Sequence, residues 1–249
     1  VLLTVINPNT TESMTATIGR AAAAVVSPGT TVRAVTPATG PASIESHYDE
    51  ALAVPGLLAE IAAGEEAGSD GYVIACFGDP GLDAARELAR GPVVGIAEAA
   101  MRTASYLGRG FSVVTTLGRT VGRAQDLAEH YGAARFCRGV RACAIPVLEL
   151  EDPASGARER ITEECRRAVA EDGSDAIVLG CAGMADLCAH ISAAVGVPVV
   201  DGVAAATRTV ESLVALGLRT GDRGEFARPP AKPYTGLLRH FRLGVADRC

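Results

Sequence analysis

Apolar runs of four to six residues alternate with Ala-rich amphipathic stretches along the whole chain. Val1–Ile6, Thr31–Val35, Gly71–Ala75 and Pro92–Ile96 read as strands in the first hundred residues. Between them, helices are expected from Asn9-Thr10-Thr11-Glu12 to about Val26, from about Ser46 to Gly68, and from Asp79-Pro80 to about Arg90. Asn9-Thr10-Thr11-Glu12 is a capping-box variant, and Asp79-Pro80 predicts an N-cap followed by proline in the first helical position. The same order then recurs. Gly110–Thr115, Val140–Ile145, Asp175–Leu179 and Val197–Val200 read as strands. Thr120–Tyr131, Ala157–Glu171, Ala185–Val195 and Ala204–Leu216 read as helices. Strands that are apolar on both faces and alternate with helices predict parallel sheets covered on both sides.

The recurrence is literal. Asp70-Gly-Tyr-Val-Ile-Ala-Cys76-Phe-Gly-Asp-Pro-Gly-Leu82 aligns without a gap on Asp175-Ala-Ile-Val-Leu-Gly-Cys181-Ala-Gly-Met-Ala-Asp-Leu187, at an offset of 105 and with five of thirteen positions identical. One residue further on, Pro92-Val-Val-Gly-Ile matches Pro198-Val-Val-Asp-Gly. The expected fold class is α/β, with two similar pseudo-symmetric lobes, each a short parallel sheet flanked by helices, and an active site in the cleft between them. The lobe boundary falls near residues 97–103. Residues 101–203 form lobe two, and residues 1–100 with 204–249 form lobe one. The stretch from Arg219 to Cys249 is charged and interrupted by prolines, and reads as an arm.

Composition removes several functions. The 249 residues carry 23 basic and 29 acidic side chains, a net charge of -6. No clustered positive charge is present to bind a phosphate backbone, so no nucleic-acid partner is expected. Of the basic residues 22 are Arg and one is Lys, Lys232, in the arm. That excludes a P-loop and leaves no convincing Schiff-base lysine. His47, His130, His190 and His240 are scattered, without metal-ligand spacing. No cofactor and no metal are expected. No apolar run reaches transmembrane length, and no secretory leader is visible, so no membrane partner is expected and the cytoplasm is the expected location. Seven cysteines, an odd number, suit free thiols in a reducing compartment.

Cys76 and Cys181 carry the chemistry. Each stands just past a strand, before a Gly and a helix start, where parallel sheets place their ligand sites. Backbone N–H groups and a helix end near the sulfur are expected to favour thiolate, the reactive form. Two lobes facing each other would put one thiol on each side of a substrate, which suits proton removal from one face and delivery to the other. The turns' N–H groups would hold the developing oxyanion. A strand-end cysteine is often only structural, and that reading stands for Cys137, Cys143, Cys165, Cys188 and Cys249. Two at equivalent places in a duplicated chain point to function.

The segments Ile6-Asn-Pro-Asn-Thr10, Cys76-Phe-Gly-Asp-Pro-Gly81 and Leu179-Gly-Cys-Ala-Gly-Met184 resemble the hydantoin racemases, including the allantoin racemases, of the aspartate/glutamate racemase superfamily. The resemblance runs to about residue 217. It implies a two-lobed α/β fold, cofactor-independent racemisation, catalytic cysteines at Cys76 and Cys181, a last helix packed back on lobe one, and a homo-oligomer. Relatives acting on free amino acids carry Thr after each Cys, where it helps to bind a carboxylate. Phe77 and Ala182 stand there instead, which favours a neutral ring such as a 5-substituted hydantoin or allantoin. Phe77 could cover the ring or simply fill the core.

Further substrate-binding candidates are Asn7, Ile44, Gly78, Thr115, Thr116 and Gly183. Asn7 could pair with a ring amide or serve as a turn former, and Thr115 and Thr116 could bind substrate or only build a strand. Glu45, His47 and Asp186 could tune a thiol, and Asp79 is read as a helix cap. Two other functions remain open. One is a related one-cysteine chemistry, of the arylmalonate decarboxylase or maleate isomerase type. The other is a non-catalytic two-lobed small-molecule binder.

Overall fold

The computed structural model describes residues 1–152 and 154–243; Cys249 and the end of the arm lie outside the described residues. The first half runs β1 (Leu2–Ile6), α1 (Glu12–Ala23), β2 (Thr31–Val35), α2 (His47–Glu66), β3 (Gly71–Ile74), α3 (Leu82–Leu88), β4 (Val93–Gly95) and α4 (Ile96–Ala104). The second runs β5 (Phe111–Thr115), α5 (Val121–His130), β6 (Cys137–Ala142), α6 (Ala157–Asp172), β7 (Ala176–Leu179), α7 (Cys188–Val195), β8 (Val199–Val200) and α8 (Gly202–Ala215). All ladders are parallel, in two four-stranded sheets of matching order, β2-β1-β3-β4 and β6-β5-β7-β8. The duplicated α/β architecture is the one the repeat predicts. No helix among the described residues is long and apolar enough to cross a membrane.

Three local readings change. The segment 97–103, which lies between the two sheets, is helical, the body of α4, where no element was expected. Its signal was legible: Ile96, Ala97, Ala100, Met101 and Ala104 are buried at helical spacing, while Glu98 and Arg102 pair outside at 2.9 Å. Asp79 does not cap the helix that follows it. Its φ is +45°, Gly81 supplies the N-cap position, and α3 begins at Leu82. β6 starts and ends three residues earlier than expected. Ala144 takes φ +53° and bends the chain out of the ladder, although Cys143 and Ile145 still donate to the Thr115 and Thr116 carbonyls at 3.0 and 3.1 Å.

The sheets are separate but the core is continuous. One cluster joins Leu3, Val5 and Val73 of lobe one to Phe111, Val113 and Val178 of lobe two through Ile96, Ala97, Ala100 and Met101 of α4. Val203, Ala206 and Val210 of α8 belong to the same cluster. α8 lies so close on β3 that a Cβ at Gly71 would meet Val210 Cγ1 at 2.5 Å. Two outer clusters, one per lobe, fill the far sides of the sheets.

The start of α8 depends on Asp201, whose carboxylate accepts from the Val203 and Ala204 N–H groups at 2.9 and 3.0 Å. Replacing it with Ala leaves both donors without that partner. Asp201→Ala is expected to lower unfolding free energy by about 1–2 kcal/mol, with Asp201→Asn recovering most of it, as read by urea denaturation.

Candidate active site

The C-terminal ends of the strands of both sheets open on one cavity of about 160 Å³. That is below the roughly 300 Å³ at which drug-sized ligand pockets begin, so it suits a small ring. Cys76 and Cys181 both line it. Each lies two residues past its strand, β3 for Cys76 and β7 for Cys181, and each is half-buried.

The Cys76 turn is held from both sides. Ala75 N–H donates to the Ile6 carbonyl at 2.8 Å, and Asp79 N–H donates to the Cys76 carbonyl at 3.0 Å. Opposite it, Gly180 N–H donates to the Val114 carbonyl at 2.8 Å, and Met184 N–H to the Cys181 carbonyl at 3.1 Å. A Cβ at Gly180 would stand 2.9 Å from Thr115 Cβ, so the close approach of the two strand ends needs glycine there.

The electrostatics correct the expectation of favoured thiolates. Burial is the dominant influence on both groups, and it pushes Cys76 well above the ordinary thiol range and Cys181 up to about 11. The N–H groups of Gly78 and Gly183 do reach the sulfurs and act the other way, but they are outweighed. Nearby carboxylates add to the upward push: Glu50 and Asp79 on Cys76, and Glu45 on Cys181. No full helix start stands at Cys76, because α3 begins only at Leu82.

Of the other predicted site residues, Ile44, Phe77, Gly78, Thr115, Thr116 and Ala182 line the cavity. Phe77 and Ala182 are also core residues, 7% and 4% exposed, so Phe77 serves packing and lining at once. Thr115 is buried, its hydroxyl paired with that of Thr120 at 2.9 Å. Gly183 is not in the wall; it lies behind Cys181, where an added Cβ would stand 3.7 Å from the sulfur. Asn7 is a correction. It is 1% exposed and its amide is spent on the β1–α1 loop, donating to Asn9 Oδ1 at 2.8 Å and Thr15 Oγ1 at 2.9 Å. Asn9 lines the cavity instead. The motif Asn-Pro-Asn named two equivalent amides, and only tertiary packing chooses between them.

The wall also contains polar side chains that strand-end reasoning did not select: Ser46 and Glu50 from the start of α2, and Arg119, Thr120 and Arg123 from the β5–α5 region. Arg123 bridges the lobes. Its Nη2 donates to the Gly78 carbonyl at 2.7 Å, and its Nε lies 3.4 Å from Glu50 Oε1. Glu45 bridges them too, accepting from Val147 N–H at 2.7 Å. His47 lines the cavity and Asp186 does not. Among the remaining cysteines, Cys143 donates to the Thr115 carbonyl at 3.1 Å and Cys165 is buried in α6. Among the described residues no group of three or more His, Cys, Asp or Glu side chains is arranged to hold a metal ion.

The chain is similar over most of its length to known proteins. The family model described as Asp/Glu/Hydantoin racemase matches residues 3–210. A hydantoin racemase of Rhizobium meliloti is 51% identical over 231 residues, 93% of this chain and 96% of that protein. The solved allantoin racemase of Klebsiella pneumoniae superposes with a TM-score of 0.95 at 53% identity, covering 97% of this chain and 99% of that one. The allantoin racemase of Pseudomonas fluorescens gives 0.91 at 42% identity, covering 95% and 100%.

Glu45 carries a negative charge near Cys181, and a Gln there keeps the acceptor for Val147 while removing the charge. Glu45→Gln is expected to lower the pH midpoint of Cys181 alkylation and leave that of Cys76 in place. Iodoacetamide labelling across a pH series, resolved by peptide mass spectrometry, reads both thiols in one sample.

Proposed function

This chain belongs to the Asp/Glu/hydantoin racemase family, and from that premise we propose that it racemises 5-substituted hydantoins, allantoin among them, without a cofactor and with Cys76 and Cys181 as opposed base and acid. The observation that carries the reading is that both thiols line one small cavity from equivalent turns of the two lobes.

The ring's C5–H is flanked by a carbonyl, so removing the proton gives an enolate rather than a bare carbanion. One cysteine, as thiolate, takes the proton from one face. The other, as thiol, returns a proton to the opposite face, and the configuration inverts. The two sulfurs have then exchanged protonation states, so each enantiomer meets the form that its own reaction requires. Two groups of the same chemical type suit this symmetry, because either can serve as base for one enantiomer and as acid for the other. Backbone N–H groups of the cysteine turns that are not already bonded to the sulfurs or carbonyls would share the oxyanion charge.

The wall fits a neutral ring. The positions following the cysteines, Phe77 and Ala182, offer no hydroxyl for a carboxylate, while Asn9, Thr116 and Arg119 can donate to ring carbonyls. A one-cysteine decarboxylase or isomerase would leave the second cavity thiol without a role, and a passive binder would need neither. The same reading has the protein acting on a small-molecule substrate in a reducing cytoplasm, where both thiols stay free, and as a homo-oligomer.

Cys76→Ser and Cys181→Ser are each expected to lose racemisation by about 10²–10⁴-fold. C5–H exchange in D₂O, followed by proton NMR, should persist in each variant for the one enantiomer that still faces a thiol. Full racemisation by both variants would remove the two-cysteine mechanism.

The pH dependence has a defined sign. The base works as thiolate, and both thiols titrate far above neutral, Cys181 at about 11. The thiolate fraction therefore grows as pH rises, while the partner thiol keeps its proton. kcat/KM is expected to climb by about tenfold per unit between roughly pH 6 and 9, with no falling limb in that window.

A further inference from the structure

The Cys76 turn belongs to lobe one, yet lobe two holds it at two points on one helix. Arg123 of α5 donates to the Gly78 carbonyl at 2.7 Å. Tyr131, the residue that ends α5, donates its hydroxyl to Asp79 Oδ2 at 2.7 Å. Burial pushes the Tyr131 phenol far above its ordinary range, so it stays protonated and donates throughout the working pH range. The same Asp79 carboxylate accepts from Ala97 N–H at 3.1 Å and Glu98 N–H at 3.0 Å. It thereby caps α4, the helix that connects the lobes.

The internal repeat shows how unusual this is. In lobe two, the helix after β8 is capped by its own N-cap residue, Asp201. The equivalent position in lobe one is Gly95, which offers no side chain, and a Cβ there would overlap the Asp79 carboxylate. Conversely, the residue equivalent to Asp79 in the Cys181 turn is Met184, fully buried. The capping carboxylate thus stands at the helix in one lobe and in the cysteine turn in the other.

The arrangement is costly. Asp79 is only 4% exposed and holds φ +45°, a region disfavoured for residues with a side chain. Glycine would take that conformation freely, as Gly81 does at φ +66° two residues on. The turn alone does not need a carboxylate; the bonds to α4 and Tyr131 do.

We infer that Asp79 and Tyr131 are positioning residues for Cys76: the carboxylate–phenol pair ties the Cys76 turn to α4 and to α5 of lobe two, so that the aim of this thiol and the packing of the two lobes are set together. This rests on the reading of Cys76 as a catalytic thiol. It also makes the two thiols unequal, since an anion backs the Cys76 turn and a methionine backs that of Cys181. The other charged groups around the Asp79 carboxylate are Glu98, which pairs with Arg86 at 2.7 Å and Arg102 at 2.9 Å, and, across Cys76, the Glu50–Arg123 pair.

The test uses Asp79→Asn, Asp79→Gly, Tyr131→Phe and Cys76→Ala in the full chain, with a 5-substituted hydantoin as substrate. Both Asp79 variants are expected to lose about 10²-fold in kcat, with KM held within about twofold, because a misaimed thiol weakens the transition state rather than binding. Tyr131→Phe, which removes one hydroxyl and keeps the ring, should lose less kcat with the same unchanged KM. Alkylation gives a readout independent of activity: the pH midpoint of Cys76 should fall in Asp79→Asn and Asp79→Gly, while that of Cys181 stays. Wild-type kcat in Asp79→Gly, or in Tyr131→Phe, or an unmoved Cys76 midpoint in the Asp79 variants, would overturn the inference. If Cys76→Ala is inactive while the Asp79 variants run at the wild-type rate, only the positioning role fails. Full activity in Cys76→Ala would instead remove the catalytic reading of Cys76, and the alkylation midpoints would still decide whether Asp79 governs that thiol.

Discussion

The continuous core through α4 and α8 is what the site depends on. Two parallel sheets of equal order could pack in many ways, and each alone would present its cysteine to solvent. Because Ile96, Ala97, Ala100 and Met101 are buried in the same cluster as residues of both sheets, the strand ends are fixed opposite each other. α8 reinforces this by returning to β3 after the second lobe is complete, with Val210 against Gly71. The facing of the two thiols is therefore a product of apolar burial that runs from α4 and α8 up to their neighbours Ala75, Phe77 and Ala182. Polar bridges between the lobes, from Arg123 to Gly78 and from Glu45 to Val147, refine an arrangement that hydrophobic packing has already chosen.

That placement sets the electrostatic problem the site has to solve. A thiol in a small cavity between two lobes loses the water that would stabilise its thiolate, and the carboxylates of Glu45, Glu50 and Asp79 make the loss larger. The turn N–H groups recover part of it. The outcome is a pair of weak acids, a workable state for the proposed proton exchange at a carbon flanked by a carbonyl: a thiol with a high pKa makes a strong base once ionised and would hold its proton as an acid until the enolate needs it. The neutral ring of the proposed substrate would bring no further negative charge into the cavity.

Internal duplication explains both the symmetry of the site and its departures. Cys76 and Cys181, and the glycines two residues after them, keep their places in the repeat. Around them the lobes diverge. The cap of α8 is Asp201, while α4 takes its cap from Asp79 in the cysteine turn. Asn9 enters the cavity from lobe one, where the end of β5 and the residue after it in lobe two supply Thr115 and Thr116.

The sequence by itself determined the α/β class, the eight strands, the two-fold repeat and the two cysteines, because these are written in local periodicity and in letters repeated at a fixed offset. It also contained the α4 pattern, a buried apolar stripe with a Glu98–Arg102 pair outside, although the segment invited reading as a boundary between repeats. Tertiary structure alone decided the rest. Whether Asn7 or Asn9 faces the cavity depends on how the β1–α1 segment packs, since both amides bond within it and only Asn9 reaches the wall. Whether Asp79 caps its own helix or a distant one depends on where the N-terminus of α4 arrives. Whether the cysteines are thiols or thiolates depends on how much water the facing lobe removes. The last two are contests between a local partner and a remote one, and a remote partner has no fixed spacing in the chain.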